Sequence, residues 1–183
     1  AARPAGSNVI AGLRDARAED AAGIAALWNP VIRDTAVTFT SLEKTQRDLS
    51  RDIAMRQADG KAFLVAENEG RIVGFATYFQ FRAGPGYART MEHTLVVAPQ
   101  VRGAGVGRAL LSALEDHARA GGAHAMFAGV SAENPAGVAF HARLGYRTIA
   151  RLPQVGRKFG RWMDLVLMQK WLDGDPDIPP ETG

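Results

Sequence analysis

Arg102 through Gly107 is the run whose residue types and spacing speak most directly of chemistry. It reads R-G-A-G-V-G, with Arg108 after it, between the β-forming residues Thr94–Val97 and a helical apolar pattern that starts at Val106. A strand, a glycine-rich turn and a helix N-terminus in that order make an anion site. The unpaired N–H groups of the turn and of the first helical turn point outward. Glycine at 103, 105 and 107 lets an anion approach the backbone with no Cβ in the way. Arg102 and Arg108 flank the turn and can add charge-assisted hydrogen bonds. A dinucleotide fingerprint, G-x-G-x-x-G, is excluded, because the sixth position is Arg108 counted from Gly103 and Leu110 counted from Gly105. No Walker A run exists either. What remains is R-x-x-G-x-G. On glycine content alone, a phosphate cradle and a plain tight strand-to-helix turn fit equally well.

The flanking elements must hold that turn in place. Val9–Arg14 reads as a first strand. Asp20 opens a helix with Ile24, Leu27, Trp28 and Val31 on one face. Ala36–Phe39 reads as a short extended piece. Thr45, with Asp48 three residues on, resembles a capping box for a helix carrying Leu49 and Ile53. Ala62–Glu67 and Arg71–Phe81 make a hairpin about Asn68-Glu69-Gly70. The strand before the turn follows, with Glu92 and His93 leading into it. A helix from Val106 to Ala120 comes next, closed by Gly121-Gly122. His124–Val130 is a strand, Pro135–Leu144 a helix ended by Gly145, and Arg147–Leu152 and Trp162–Trp171 are closing strands. The order β-α-α-β-β-β-α-β-α-β-β predicts an α/β mixed sheet with helices on its faces. Residues 9–172 form one domain, with Pro/Gly/polar tails at 1–8 and 173–183.

Composition narrows the function class. A chain of 183 residues suits one domain with a proper core. A net charge of +3, spread along the sequence, makes no nucleic-acid stripe. Cysteine is absent, which excludes disulfides, thiolate metal sites and a cysteine nucleophile. Apolar runs such as Ile72–Phe79 fall short of the ~20 residues that span a bilayer. The N-terminus has no continuous apolar core of the kind a secretory signal needs. The expectation is a cytoplasmic protein without membrane or nucleic-acid partners. His93, His117 and His124 show no metal-ligand spacing such as H-E-x-x-H, so no metal is expected.

R-x-x-G-x-G after an apolar strand resembles the acetyl-CoA pyrophosphate loop of the GNAT superfamily of N-acetyltransferases. Nearly the whole chain resembles one branch, the phosphinothricin / methionine sulfone (sulfoximine) acetyltransferase family. The resemblance rests on Arg14, Ala16 and Asp20; on Trp28-Asn29 with Val31 and Thr35; and on Thr38-Phe39. It continues through Val73-Gly74-Phe75-Ala76, Phe81-Arg82, Thr90 with Glu92, Asn134, His141, Leu144-Gly145-Tyr146 and the ending Val155–Gln169. Two departures fall where acceptors are chosen. The family often shows T-x-A-T-F-E where Thr35–Thr40 reads TAVTFT, and its arginine after the substrate-loop aromatic is displaced here, Ala88 following Tyr87 and Arg89 coming next.

The resemblance implies a mostly antiparallel GNAT sheet flanked by helices, acetyl-CoA as donor, a small amino-acid-like acceptor and a homodimer. Residues carry over as follows. Glu92 would take the proton of the attacking amine, directly or through water. Its alternative is a solvent-facing glutamate on a half-exposed strand. The Val97 N–H would meet the oxyanion. Leu95 and Val97 would present free main-chain groups to the pantetheine arm, a form of strand addition, with Val96 among the coenzyme-binding residues. Pairing is expected to fail just past Pro99, which cannot donate to a ladder. Arg102, Gly103, Ala104, Gly105, Val106, Gly107 and Arg108 would hold the diphosphate, with Asn134 as a further coenzyme contact or an ordinary N-cap. His141, five residues before Tyr146, would donate to the leaving sulfur, relay protons or serve structure.

Acceptor recognition would fall to Arg82, Arg89, Gly86 and Tyr87 in the loop between strands, with Thr38, Phe39 and Tyr78 as walls. A zwitterion with sulfone or phosphinate oxygens suits a bidentate guanidinium. Gly156–Trp162, basic and aromatic, would wall the pocket or join a subunit contact. Rival readings are an acetyltransferase for a polyamine, an aminoglycoside or a protein N-terminus, and a non-catalytic acyl-CoA-binding regulator. Few acidic residues in the acceptor loop argue against a polycation, and Glu92 with His141 argues against the regulator.

Overall fold

A computed structural model describes residues 12–174. The N-terminal tail, the beginning of the first strand at 9–11 and residues 175–183 lie outside them. The element order is the expected one: β1 (Gly12–Asp15), α1 (Ala21–Asp34), α2 (Gln46–Ala58), β2 (Phe63–Asn68), β3 (Arg71–Gln80), β4 (Thr90–Val97), α3 (Val106–Ala120), β5 (Ala125–Ser131), α4 (Pro135–Arg143), β6 (Arg147–Lys158) and β7 (Arg161–Trp171). The strands form one seven-stranded sheet in the order β1-β2-β3-β4-β5-β7-β6. Every adjacent pair is antiparallel except β4 with β5.

Local chemistry explains the boundaries. Thr45 caps α2, its hydroxyl accepting from the Asp48 N–H at 3.1 Å. Glu69 and Gly70 both take positive φ, the requirement of the tight turn joining β2 to β3. Leu110, Leu111, Leu114 and Ala118 give α3 a single apolar stripe. That stripe packs on one sheet face with Ala76, Tyr78, Met91, Met126 and Met168. The opposite face carries α1 and α2, where Ile24, Leu49 and Ile53 pack on Phe63, Val65 and Phe75. Alternation along each strand thus separates two cores, one per face.

Two expectations are corrected. Ala36–Phe39 pairs with no strand and belongs to the irregular connection between α1 and α2. The sixth strand runs to Lys158 rather than ending at Leu152, because a bulge between Leu152 and Gly156 carries it past Pro153. Gln154 takes φ 53° within that bulge, and its N–H donates to Asp164 Oδ1 at 2.9 Å.

Candidate active site

The turn after β4 presents the expected array of free donors. Gly103 and Gly105 adopt φ of 79° and 84°, with open space where a Cβ would stand. The first closed bond of α3 runs from the Ala109 N–H to the Gly105 carbonyl at 3.0 Å. The N–H groups of Gly105, Val106, Gly107 and Arg108 therefore have no partner among the described residues, and neither has that of Gly103. Ala104 departs from expectation, its N–H being spent on the Val101 carbonyl at 3.2 Å. The Val106 side chain also turns away, into the core under α3. Arg102 and Arg108 line the cavity beside the turn, and neither is paired to a described carboxylate.

The parallel pair β4 and β5 stays joined only from Thr90–Ala125 to Glu92–Phe127. Beyond that β5 follows β7 for its whole length, Ala125–Trp171 through Ser131–Leu165, and leaves β4 behind. The strands therefore part seven residues before Pro99, which is not what separates them. On its other side β4 stays laddered to β3 as far as Val97–Gly74. Phe81 N–H donates to the Thr90 carbonyl and Ala98 N–H to the Val73 carbonyl at the ends of that ladder. Antiparallel alternation then turns the Glu92, Thr94 and Val96 main-chain groups toward β3 and leaves those of Leu95 and Val97 facing the gap. Val96, expected among the coenzyme-binding residues, lines the cavity while its main-chain groups are consumed by β3.

A cavity of about 700 Å³ fills the gap. Leu95, Val96, Val97, Ala128, Gly129 and Val130 line its length, and the Arg102–Arg108 turn lies at one end. Glu92, Phe79, Trp28, Val31, Val37 and Thr38 line it too, and Glu92 and Val97 are five strand steps apart, roughly 17 Å. Glu92 is half-buried, its carboxylate unpaired among the described residues. Oε1 lies 3.1 Å from where a Cβ on Gly129 would stand, so the glycine leaves the carboxylate its place. Loss of water around it raises the Glu92 pKa above the usual glutamate value. A carboxyl tuned upward in a cleft, a strand edge with free amides and an anion turn together suit proton abstraction beside a phosphate-bearing ligand with an extended, amide-containing arm.

A family model described as Acetyltransferase (GNAT) family matches residues 28–146. The chain belongs to the GNAT acetyltransferase family. It is 38% identical over 172 residues to the L-methionine sulfoximine/L-methionine sulfone acetyltransferase of Pseudomonas aeruginosa, covering 92% of this chain and 99% of that one. The structure of YncA from Salmonella typhimurium with its cofactor acetyl-CoA superposes with a TM-score of 0.86. Identity there is 36%, over 94% of this chain and 99% of the other. A GNAT phosphinothricin acetyltransferase of Sinorhizobium meliloti in complex with acetyl-CoA gives a TM-score of 0.85 at 29% identity, over 94% of each chain.

In this GNAT domain His141 also reaches the cavity wall, but its nitrogens are spoken for. Nδ1 lies 2.8 Å from the Gly137 carbonyl, which only accepts, so Nδ1 carries the proton. Nε2 lies 3.1 Å from His93 Nε2, which must then be the donor. His93 Nδ1 is left as a buried acceptor without a described partner. The expected gift of an N–H to the leaving sulfur is not met by this arrangement, because His141 has none to spare. Burial also lowers both histidines' pKa values, His93 to about 3, with the neighbouring His141 adding to the effect there. Asn134 lines the cavity and caps α4, its Oδ1 accepting from the Gly137 N–H at 3.0 Å.

The acceptor-side expectations fare unevenly. Thr38 lines the cavity. Phe39 does not; its ring covers Gly156, 2.2 Å from where a Cβ would stand. Tyr78 is only 2% exposed and lies on the opposite sheet face, bonded to His117 Nδ1 at 2.9 Å. Its neighbour Phe79 is the wall instead, registered directly opposite Glu92. Arg89 is drawn off to the Gly122 carbonyl at 2.7 Å and toward Asp173 at 3.6 Å. Arg82 stands over the ring of Tyr87, and neither they nor Gly86 line the cavity. Sequence reasoning missed Phe79, Gly129, Phe140 and Arg143. Period-two pairing with Glu92 is the signal that finds Phe79.

Proposed function

We propose that the chain transfers the acetyl group of acetyl-CoA to the α-amino group of a small amino acid or analogue of the methionine sulfone, methionine sulfoximine or phosphinothricin kind. The observation that carries the reading is a single cavity in which a pKa-raised carboxylate, Glu92, and an anion-binding turn, Arg102–Arg108, are joined by the free edge at Leu95 and Val97. When bound, acetyl-CoA supplies a thioester carbonyl open to attack by an amine. The N–H groups of Gly103, Gly105, Val106, Gly107 and Arg108, with the Arg102 and Arg108 guanidiniums, hold the diphosphate. Main-chain groups of Leu95 and Val97 hold the amides of the arm. Glu92 takes the proton from the amine, a free N–H of the β4 edge meets the charge that grows on the carbonyl oxygen, and coenzyme A leaves as the thiol. Val97, expected to give that N–H, stands five strand steps from Glu92, so Leu95 is the better placed of the two. Phe79, Val37, Thr38 and Trp28 enclose the acceptor. His141 supports the wall of the cavity rather than donating to sulfur.

The relatives' printed activities support this acceptor class. The finer reading includes a homodimer, supported by Val155, Phe159 and Trp162, exposed on the β6–β7 hairpin, and cytoplasmic residence, with no nucleic-acid partner. None of the described helices is long and apolar enough to cross a membrane. A thiol-release assay with acetyl-CoA and a panel of amino acids, polyamines, aminoglycosides and peptides tests the reaction. Release with methionine sulfone or phosphinothricin supports it. Release only with a polyamine, aminoglycoside or peptide moves the acceptor class. Tight acetyl-CoA binding without release from any amine makes the chain a regulator.

A further inference from the structure

Lys158 is a buried cation without an anion. It is 5% exposed, and no described carboxylate pairs with it. Its Nζ donates to the Thr35 carbonyl at 2.6 Å and the Thr38 carbonyl at 2.9 Å, and the ring of Phe159 stands 5.1 Å away. An ammonium taken out of water and given only neutral partners is costly, so it persists where the surrounding structure needs its donors. Here the needy structure is the connection between α1 and α2. Residues 35–45 have no strand partner, yet Val37 and Thr38 line the cavity that Glu92 lines. Asn29 ties the far end of the connection, its amide bonding the Lys44 N–H and carbonyl at 2.7 and 2.9 Å. At the near end, Lys158 draws two carbonyls together across 120 residues of sequence. Gly156, two residues earlier on the same face of β6, seats the Phe39 ring where a Cβ would otherwise be.

We propose that Lys158, seconded by Gly156, is the positioning residue for the acceptor-side wall, fixing Val37 and Thr38 beside Glu92 while touching neither acceptor nor coenzyme. The inference rests on the acetyltransferase reading and deepens it, because it separates acceptor affinity from coenzyme affinity. The connection closes one flank of the acceptor space, whereas the coenzyme turn is held by β4 and α3. Loosening the clasp therefore weakens the one and spares the other.

The test compares wild type, Lys158→Met and Gly156→Ala. Steady-state kinetics use acetyl-CoA and the best acceptor of the panel, and acetyl-CoA binding is measured by calorimetry. Both variants are expected to raise acceptor KM by at least about fivefold, with acetyl-CoA Kd within about twofold of wild type. Gly156 has an ordinary negative φ, so its alanine variant acts by displacing the Phe39 ring and not through backbone strain. An unchanged acceptor KM in Lys158→Met beside an active wild type overturns the inference alone. So does a parallel loss of acetyl-CoA affinity in a folded variant. If Lys158→Met fails to fold, Gly156→Ala decides by the same two readouts. A wild type that acetylates no amine overturns the acetyltransferase reading and this inference with it.

Discussion

Glu92 concentrates the conflict between stability and chemistry in one side chain. Its carboxylate is stripped of water with no described donor to compensate, which is what raises its pKa. A group whose folded-state pKa is raised favours the fold below its unfolded value and loses that contribution as pH rises through the folded value. Ionised Glu92 is therefore a cost to the fold at neutral pH. Glu92→Gln is expected to raise Tm measurably at pH 7.5 while lowering kcat/KM by roughly 10²–10⁴-fold. The acid limb of the pH–kcat/KM profile is expected to vanish with it. An unchanged rate, or a Tm that falls, would remove Glu92 from the base role. The residue on the neighbouring strand that makes room for it, Gly129, carried no sequence signal, because its meaning depends on which strand lies beside β4.

At the scale of elements, legibility followed how local the determinants were. The helix α3 was readable to both ends because its turn glycines before it and Gly121-Gly122 after it act within a few residues. The free edge of β4 was anticipated for the wrong reason. Pro99 is local and visible, whereas the true cause is the loyalty of β5 to β7, a pairing between distant segments. Tyr78 was mistaken for Phe79 because Ile72–Phe79 is apolar almost throughout, so no alternation marks its two faces. Arg89 has the chemistry of a substrate clamp but is claimed by the α3–β5 turn, which composition cannot reveal. The best-read element also yields the cleanest test. Gly105 has φ 84°, so alanine there costs about 1–2 kcal/mol of backbone strain and sets a methyl in the proposed diphosphate site. Gly105→Ala is expected to raise acetyl-CoA Kd at least about tenfold by calorimetry, with acceptor selectivity across the panel unchanged. Retained coenzyme affinity would move the diphosphate elsewhere.

The whole molecule should be sensitive to mild acid, and the reason lies in the buried wall of the cavity. His93 and His141 stack at 5.1 Å with the edge of Tyr146 against both, and burial keeps them neutral. Each has a folded pKa below the ordinary value of about 6.5, so the unfolded chain takes up protons first as pH falls. Stability from this pair is whole above about pH 6.5 and is lost below it, down toward about 3 for His93, whose share falls by at most about 1.4 kcal/mol per pH unit. Asp20 has the same sign but a different window. Its carboxyl, hydrogen-bonded and ion-paired to Arg14, is already ionised well below the usual aspartate value, and its contribution fades only in stronger acid. Glu92 opposes the histidines, because protonating it relieves the fold. The interval from pH 6.5 to 4.5 therefore isolates the histidine pair best in a Glu92→Gln background. Urea midpoints there should fall steadily with pH in that background. Adding His93→Gln keeps an N–H donor for His141 Nε2 but removes one titrating ring, and should flatten the slope by up to about 1.4 kcal/mol per pH unit. A slope untouched by His93→Gln would place the acid sensitivity outside the pair.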